Sequence, residues 1–124
     1  MGRFVHTGEP YVNGNTLVWQ ATLEPTADYV TARSGSDRLD IFRMEANDPS
    51  GVDAHSTDMF NFDVPFSNDV LPGDNHIGQY PLDLRSGYYQ VYLTIDQDNA
   101  QVNLELRLSV HEGSYELKNW FVAA

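Results

Sequence analysis

Apolar and polar residues alternate most strictly between Gly87 and Val122, and that stretch predicts an antiparallel three-stranded meander. Tyr89, Val91, Leu93 and Ile95 fall on one side of a strand, with Tyr88, Gln90, Tyr92 and Thr94 on the other. Val102, Leu104, Leu106, Leu108 and Val110 then alternate with Asn103, Glu105, Arg107 and Ser109. Period two over that length marks a strand buried on one face. A third run, Tyr115 to Val122, closes the meander. Continued alternation there groups Lys118, Trp120 and Val122 against Leu117 and Phe121.

Upstream the pattern is shorter but of the same kind. Arg3 to Thr7 reads as a short strand ended by Gly8 and Pro10. Asn13-Gly14 is a strong hairpin signal between Tyr11-Val12 and the run Thr16 to Glu24, in which Leu17, Trp19, Ala21 and Leu23 share a face. Tyr29 to Thr31 and Arg38 to Glu45 read as two strands joined by a turn at Ser34 to Asp37. Asn47 to Asp58 reads as a long loop, Met59 to Val64 as a strand, and Ser67 to Asn75 as a second loop. His76 to Leu84 resumes the alternation, and Pro81 within it demands an edge or a bulge because proline cannot donate to a ladder. Eight or nine short strands with turns between them and little or no helix predict an all-β antiparallel sandwich or jelly-roll-like barrel, one domain over residues 1–124.

Charge narrows the function. Eighteen acids against seven bases give a formal net charge of −11, which repels phosphate backbones and argues against nucleic acid as a partner. Asp outnumbers Glu, and six arginines stand beside a single lysine, Lys118, a balance resembling that of proteins from salt-loving organisms. There is no cysteine, so neither disulfides nor thiolate zinc sites contribute. No apolar run follows Met1-Gly2-Arg3, so no signal peptide, membrane span or membrane partner is expected.

Candidate chemistry is sparse. Asp96 to Asn99 begins like a calcium loop, but Gln101 and Arg107 stand where an EF-hand needs Gly and Glu. Asp48, Asp53 and Asp58, or Asp69 and Asp74, are weak calcium candidates, since aspartate also favours turns for its own backbone bonds. His6, His55, His76 and His111 are scattered and read as surface imidazoles. No nucleophile elbow and no phosphate-cradling glycine loop occurs, so no cofactor and no enzymatic activity is expected. Tyr88, Tyr92 and Trp120, with Lys118, form an aromatic platform if they share the second sheet face.

The leading expectation is a non-enzymatic structural or assembly protein acting through protein–protein contacts, with copies of itself or a shell protein as partners. The particle expected is a virion of a bacterial or archaeal virus, with this chain as a capsid-decorating, connector or tail subunit; outside a virion, a cytoplasmic location is expected. A carbohydrate-binding module using exposed aromatics and calcium is the alternative. A ligand-binding barrel fits less well, because Val102 to Val110 point inward as uninterrupted aliphatics.

Overall fold

Two antiparallel sheets face one another across a shared core of aliphatic and aromatic side chains. The computed structural model describes residues 4–6, 8–25, 35–44, 54–97 and 100–123, with the backbone alone at residue 6 and residues 54–58. Among these are nine strands and no helix: β1 (Phe4–His6), β2 (Tyr11–Asn13), β3 (Thr16–Leu23), β4 (Ser36–Met44), β5 (Ala54–Pro65), β6 (Asn75–Pro81), β7 (Gly87–Gln97), β8 (Ala100–His111) and β9 (Ser114–Ala123). The all-β sandwich expectation holds. The expected strand at Tyr29 to Thr31 lies outside the described residues, and so does Ser34 of its turn; Ser36 and Asp37, expected in that turn, instead open β4.

The smaller sheet is built on β3. β6 pairs along one edge of it, while β1 and β2 divide the other edge, β2 against residues 16–18 and β1 against residues 21–23. The β2–β3 hairpin turns on Gly14 and Asn15; Gly14 takes the first central position at φ +63°, a left-handed value that glycine adopts without a Cβ penalty.

The larger sheet runs β5-β4-β7-β8-β9. The expected meander forms its β7-β8-β9 part, and β4 joins the far edge of β7 with Leu39 opposite Leu93 and Ile41 opposite Val91. These residues, with Leu104, Leu106 and Leu108, meet Leu17, Trp19, Ala21 and Leu23 of β3, all nearly or wholly buried.

Two expectations are corrected. β5 begins at Ala54, so residues 54–58, expected as loop, belong to a strand. Ala54 and His55 pair with Met44 and Arg43 across a break in register that spans residues 56–58, and the long-range ladder outweighs the polar local sequence. β6 stops at Pro81, the last residue of an edge strand, and Leu82 and Leu84 lie buried beyond it.

Side chains rather than ladders tie the connections down. Gln97 brackets Val70 with two hydrogen bonds, accepting from its amide at 2.7 Å and donating to its carbonyl at 2.8 Å. The Tyr115 hydroxyl accepts from the Leu84 amide at 2.7 Å, and the Tyr89 hydroxyl donates to the Arg85 carbonyl at 2.7 Å. Both hold the crossover between the sheets.

Candidate functional site

The outer face of the larger sheet carries the aromatics singled out above, but not the same set. Tyr88 and Tyr92 both point outward from β7, four residues and so ~13 Å apart along the strand. Trp120 does not join them. The β8–β9 ladder slips between Arg107 and Leu108: Leu108 pairs with Leu117, and Arg107 pairs with Asn119, leaving Lys118 as the extra residue of a bulge. The bulge inverts the phase of everything after it. Trp120 therefore lies opposite Leu106 on the inner face, partly buried against the core, and Phe121 takes the outer face opposite Glu105.

The sequence holds the signal for this slip. Tyr115 and Leu117 are two apart, Leu117 and Trp120 three apart, and Trp120 and Val122 two apart again. A three-residue step inside a period-two run is how an inserted residue reads, and strict alternation passes over it.

Phe42 and Met59 belong to the same face, although no pattern along the chain singles them out. Phe42 packs edge-to-face on Tyr92, with centroids 5.5 Å apart and planes at 83°. Met59 lies across from Phe42 at 44 % exposure, and Tyr88 and Phe121 are exposed to 38 % and 49 %. Gln90 and Arg107, paired across β7 and β8 between these aromatics, are only 3 % and 7 % exposed. Acids project from this side as well: Asp40, Asp63 and Glu116 at the margins of the patch, and Glu105 within it, in the rung between Tyr92 and Phe121. Arg38 sits among them, 3.2 Å from Asp40 and opposite Asp63, and its guanidinium is held more firmly protonated than usual, first by the hydrogen bond to Asp40 and then by both charges.

Lys118 lies at one end of this face. With Tyr88, Ser86, Ser109 and His111 it lines a shallow depression of about 400 Å³, and its ammonium reaches Glu116 at 3.4 Å. Tyr88 and Lys118 thus line the same depression, without Tyr92 or Trp120.

The calcium candidates separate. Asp48 and Asp53 lie outside the described residues, as does the side chain of Asp58. Asp69 and Asp74 line one concavity of about 230 Å³ beside His76, but no group of three or more acidic or histidine side chains converges there or elsewhere among the described residues.

His76 is not a surface imidazole. It points inward from β6, its side chain 11 % exposed, and its Nε2 lies 2.8 Å from Oδ2 of Asp37, a β4 residue on the inner face of the opposite sheet. Phe66 packs on its ring at 3.9 Å between centroids. The indole nitrogen of Trp19 lies buried beside the pair without a hydrogen-bond partner among the described residues. Asp37 read as a turn residue, and the cross-sheet bond explains why it is buried instead: a carboxylate inside a core needs a partner, and β6 delivers one. Ser67 shares the concavity with His76 but makes no hydrogen bond to it, so the pair has the geometry of a cross-sheet tie.

No protein-family model matches this chain, and no curated protein or solved structure is significantly similar to it. No helix among the described residues is long and apolar enough to cross a membrane.

Proposed function

We propose that this chain is a non-enzymatic structural subunit that assembles through protein–protein contacts made by the outer face of the larger sheet. The observation that carries the reading is the patch itself. Tyr88, Met59 and Phe121 stand exposed around the Phe42–Tyr92 pair, with a desolvated arginine at the centre, Glu105 between Tyr92 and Phe121, and Asp40, Asp63 and Glu116 at the border. Aromatics, Met and Arg at the centre with charge at the rim is the composition of an interface rather than of open surface. The partners proposed are copies of the chain and a shell protein, and the particle to which we assign it is the virion of a bacterial or archaeal virus, as a decorating, connector or tail subunit.

Light scattering across salt tests the reading. Copies with a net charge of −11 repel at low salt, and screening shortens from ~10 Å at 0.1 M to ~3 Å at 1 M. A mass above the monomer that grows with salt, and falls back in Tyr88→Asp and Met59→Asp, is expected. A monomer at every salt, or an assembly indifferent to both substitutions, would refute it.

A second reading has its own observation. The depression walled by Tyr88 offers Ser109 and Lys118 beside an aromatic face, the pairing that a sugar ring stacks and hydrogen-bonds against. Saturable glycan-induced NMR shifts at Tyr88 and Ser109 in a monomer would favour that reading over the first.

A further inference from the structure

Assembly through the outer face leaves open how two copies meet, and the edges of the sheets narrow the choice. An edge strand is a template for another chain unless something blocks it. β1 and β2 are three residues each. β5 breaks register and carries Asp63 and Pro65. β6 has Gly78 in its middle and ends at Pro81. The first half of β9 is guarded by Glu116, Lys118 and the bulge. Its second half, Asn119 to Ala123, has none of these protections: it is regular, uncharged and paired only with β8 among the described residues. It also shows apolar surface on both sides of the sheet, Phe121 outward at 49 % and Val122 inward at 45 % exposure.

Building on the assembly reading, we propose that residues 119–123 pair edge to edge with the same segment of a second copy, antiparallel about a two-fold axis at Phe121. Face matching requires the axis to fall on a residue, and pairing all of residues 119–123 puts it at Phe121. Asn119, Phe121 and Ala123 point outward, while Trp120 and Val122 point inward, so the segment reads the same in both directions about its centre. Phe121 then meets the partner's Phe121, and Trp120 meets the partner's Val122, so both exposed apolar side chains are covered. Pairing stops at Lys118, where the bulge turns the edge away. The two five-stranded sheets become one ten-stranded sheet, and the aromatic face doubles in extent across the joint. Five paired residues are a short seam beside the roughly 800 Å² per partner of a durable interface, so the dimer is concentration-dependent and salt-strengthened. Its dissociation constant is expected to tighten roughly tenfold or more between low and molar salt as the net negative charges are screened.

The absence of cysteine makes the register directly readable. Directly opposed residues in an antiparallel pair have Cα atoms ~4.5–5.5 Å apart, inside the span that a disulfide bridges. Under mild oxidation, Phe121→Cys is expected to give a covalent dimer, and Tyr88→Cys, on the same face but away from the edge, is not. Because Phe121→Cys removes an apolar contact, a second test keeps it: Asn119→Cys mixed with Ala123→Cys should cross-link, and either alone should not. Cross-linking through Tyr88→Cys but not through any β9 position would overturn the edge pairing while leaving assembly by the face standing. No cross-link anywhere, with a monomeric mass at the highest soluble concentration in molar salt, would overturn both.

Discussion

Deleting Lys118 is the sharpest perturbation of this fold, because the structure assigns that residue no rung in its ladder. Leu117 pairs with Leu108 and Asn119 with Arg107, so removal of the residue between them leaves a regular strand with every partner kept. Trp120 stays opposite Leu106 and Val122 opposite Leu104. What is lost is an exposed ammonium 3.4 Å from Glu116, a surface pair contributing no more than ~1 kcal/mol. The expected change in unfolding free energy is therefore within about 1 kcal/mol of zero. Deleting Glu105 from β8 is the contrast. That deletion carries Leu104 and Val102 to the outer face and brings Asn103 and Gln101 inward. Two aliphatic side chains at ~1.5–3 kcal/mol each, and two buried amides at ~1–3 kcal/mol each, sum to roughly 5–12 kcal/mol, comparable to the whole stability of a domain. Urea denaturation followed by circular dichroism and tryptophan fluorescence measures both. Acrylamide quenching of the native state reports whether Trp120 stays on the inner face. A loss above ~2 kcal/mol for the Lys118 deletion, or a tryptophan newly open to quencher, would show that Lys118 is not the inserted residue. If β9 pairs with a second copy, the same deletion also flattens its edge and should tighten self-association.

Four further substitutions, two of them combined, probe the core and a turn. Gly78→Ala places a Cβ 2.5 Å from Asp37 Oδ2 and 2.5 Å from Trp19 Cε2, so β6 must move off the buried pair; a cost of about 3 kcal/mol is expected in chemical denaturation, and a loss under 1 kcal/mol would contradict the close approach. His76→Leu strands the Asp37 carboxylate inside the sandwich and should cost ~3–5 kcal/mol, whereas Asp37→Leu combined with His76→Leu should recover most of that loss by removing both polar groups. Glu112 holds φ +49° at the β8–β9 turn, a left-handed value that penalises a side chain without local hydrogen bonding; Glu112→Asn should stabilise by ~0.5–1 kcal/mol, read as a rise of a few degrees in thermal midpoint.

The fold class, the meander and the inward side of β3, β7 and β8 were legible in the residue order, because each is set by alternation within one run and by the turns that bound it. The same alternation placed Tyr88 and Tyr92 outward. Tertiary structure alone decided the face of Trp120, since a single bulged residue inverts every position after it and only the pairing with β8 shows where the insertion lies. It also decided the start of β5, whose first residues form strand only because Arg43 and Met44 offer a ladder. The Asp37–His76 tie joins residues 39 apart in the chain, and no local rule distinguishes a turn aspartate from a buried one. Phe42 and Met59 enter the patch through lateral neighbours on β7 and β4, which become neighbours only when the sheet assembles. Periodicity records which side of its own strand a residue occupies; what lies across from it is fixed by long-range register, and in this chain the candidate surface depends on that register.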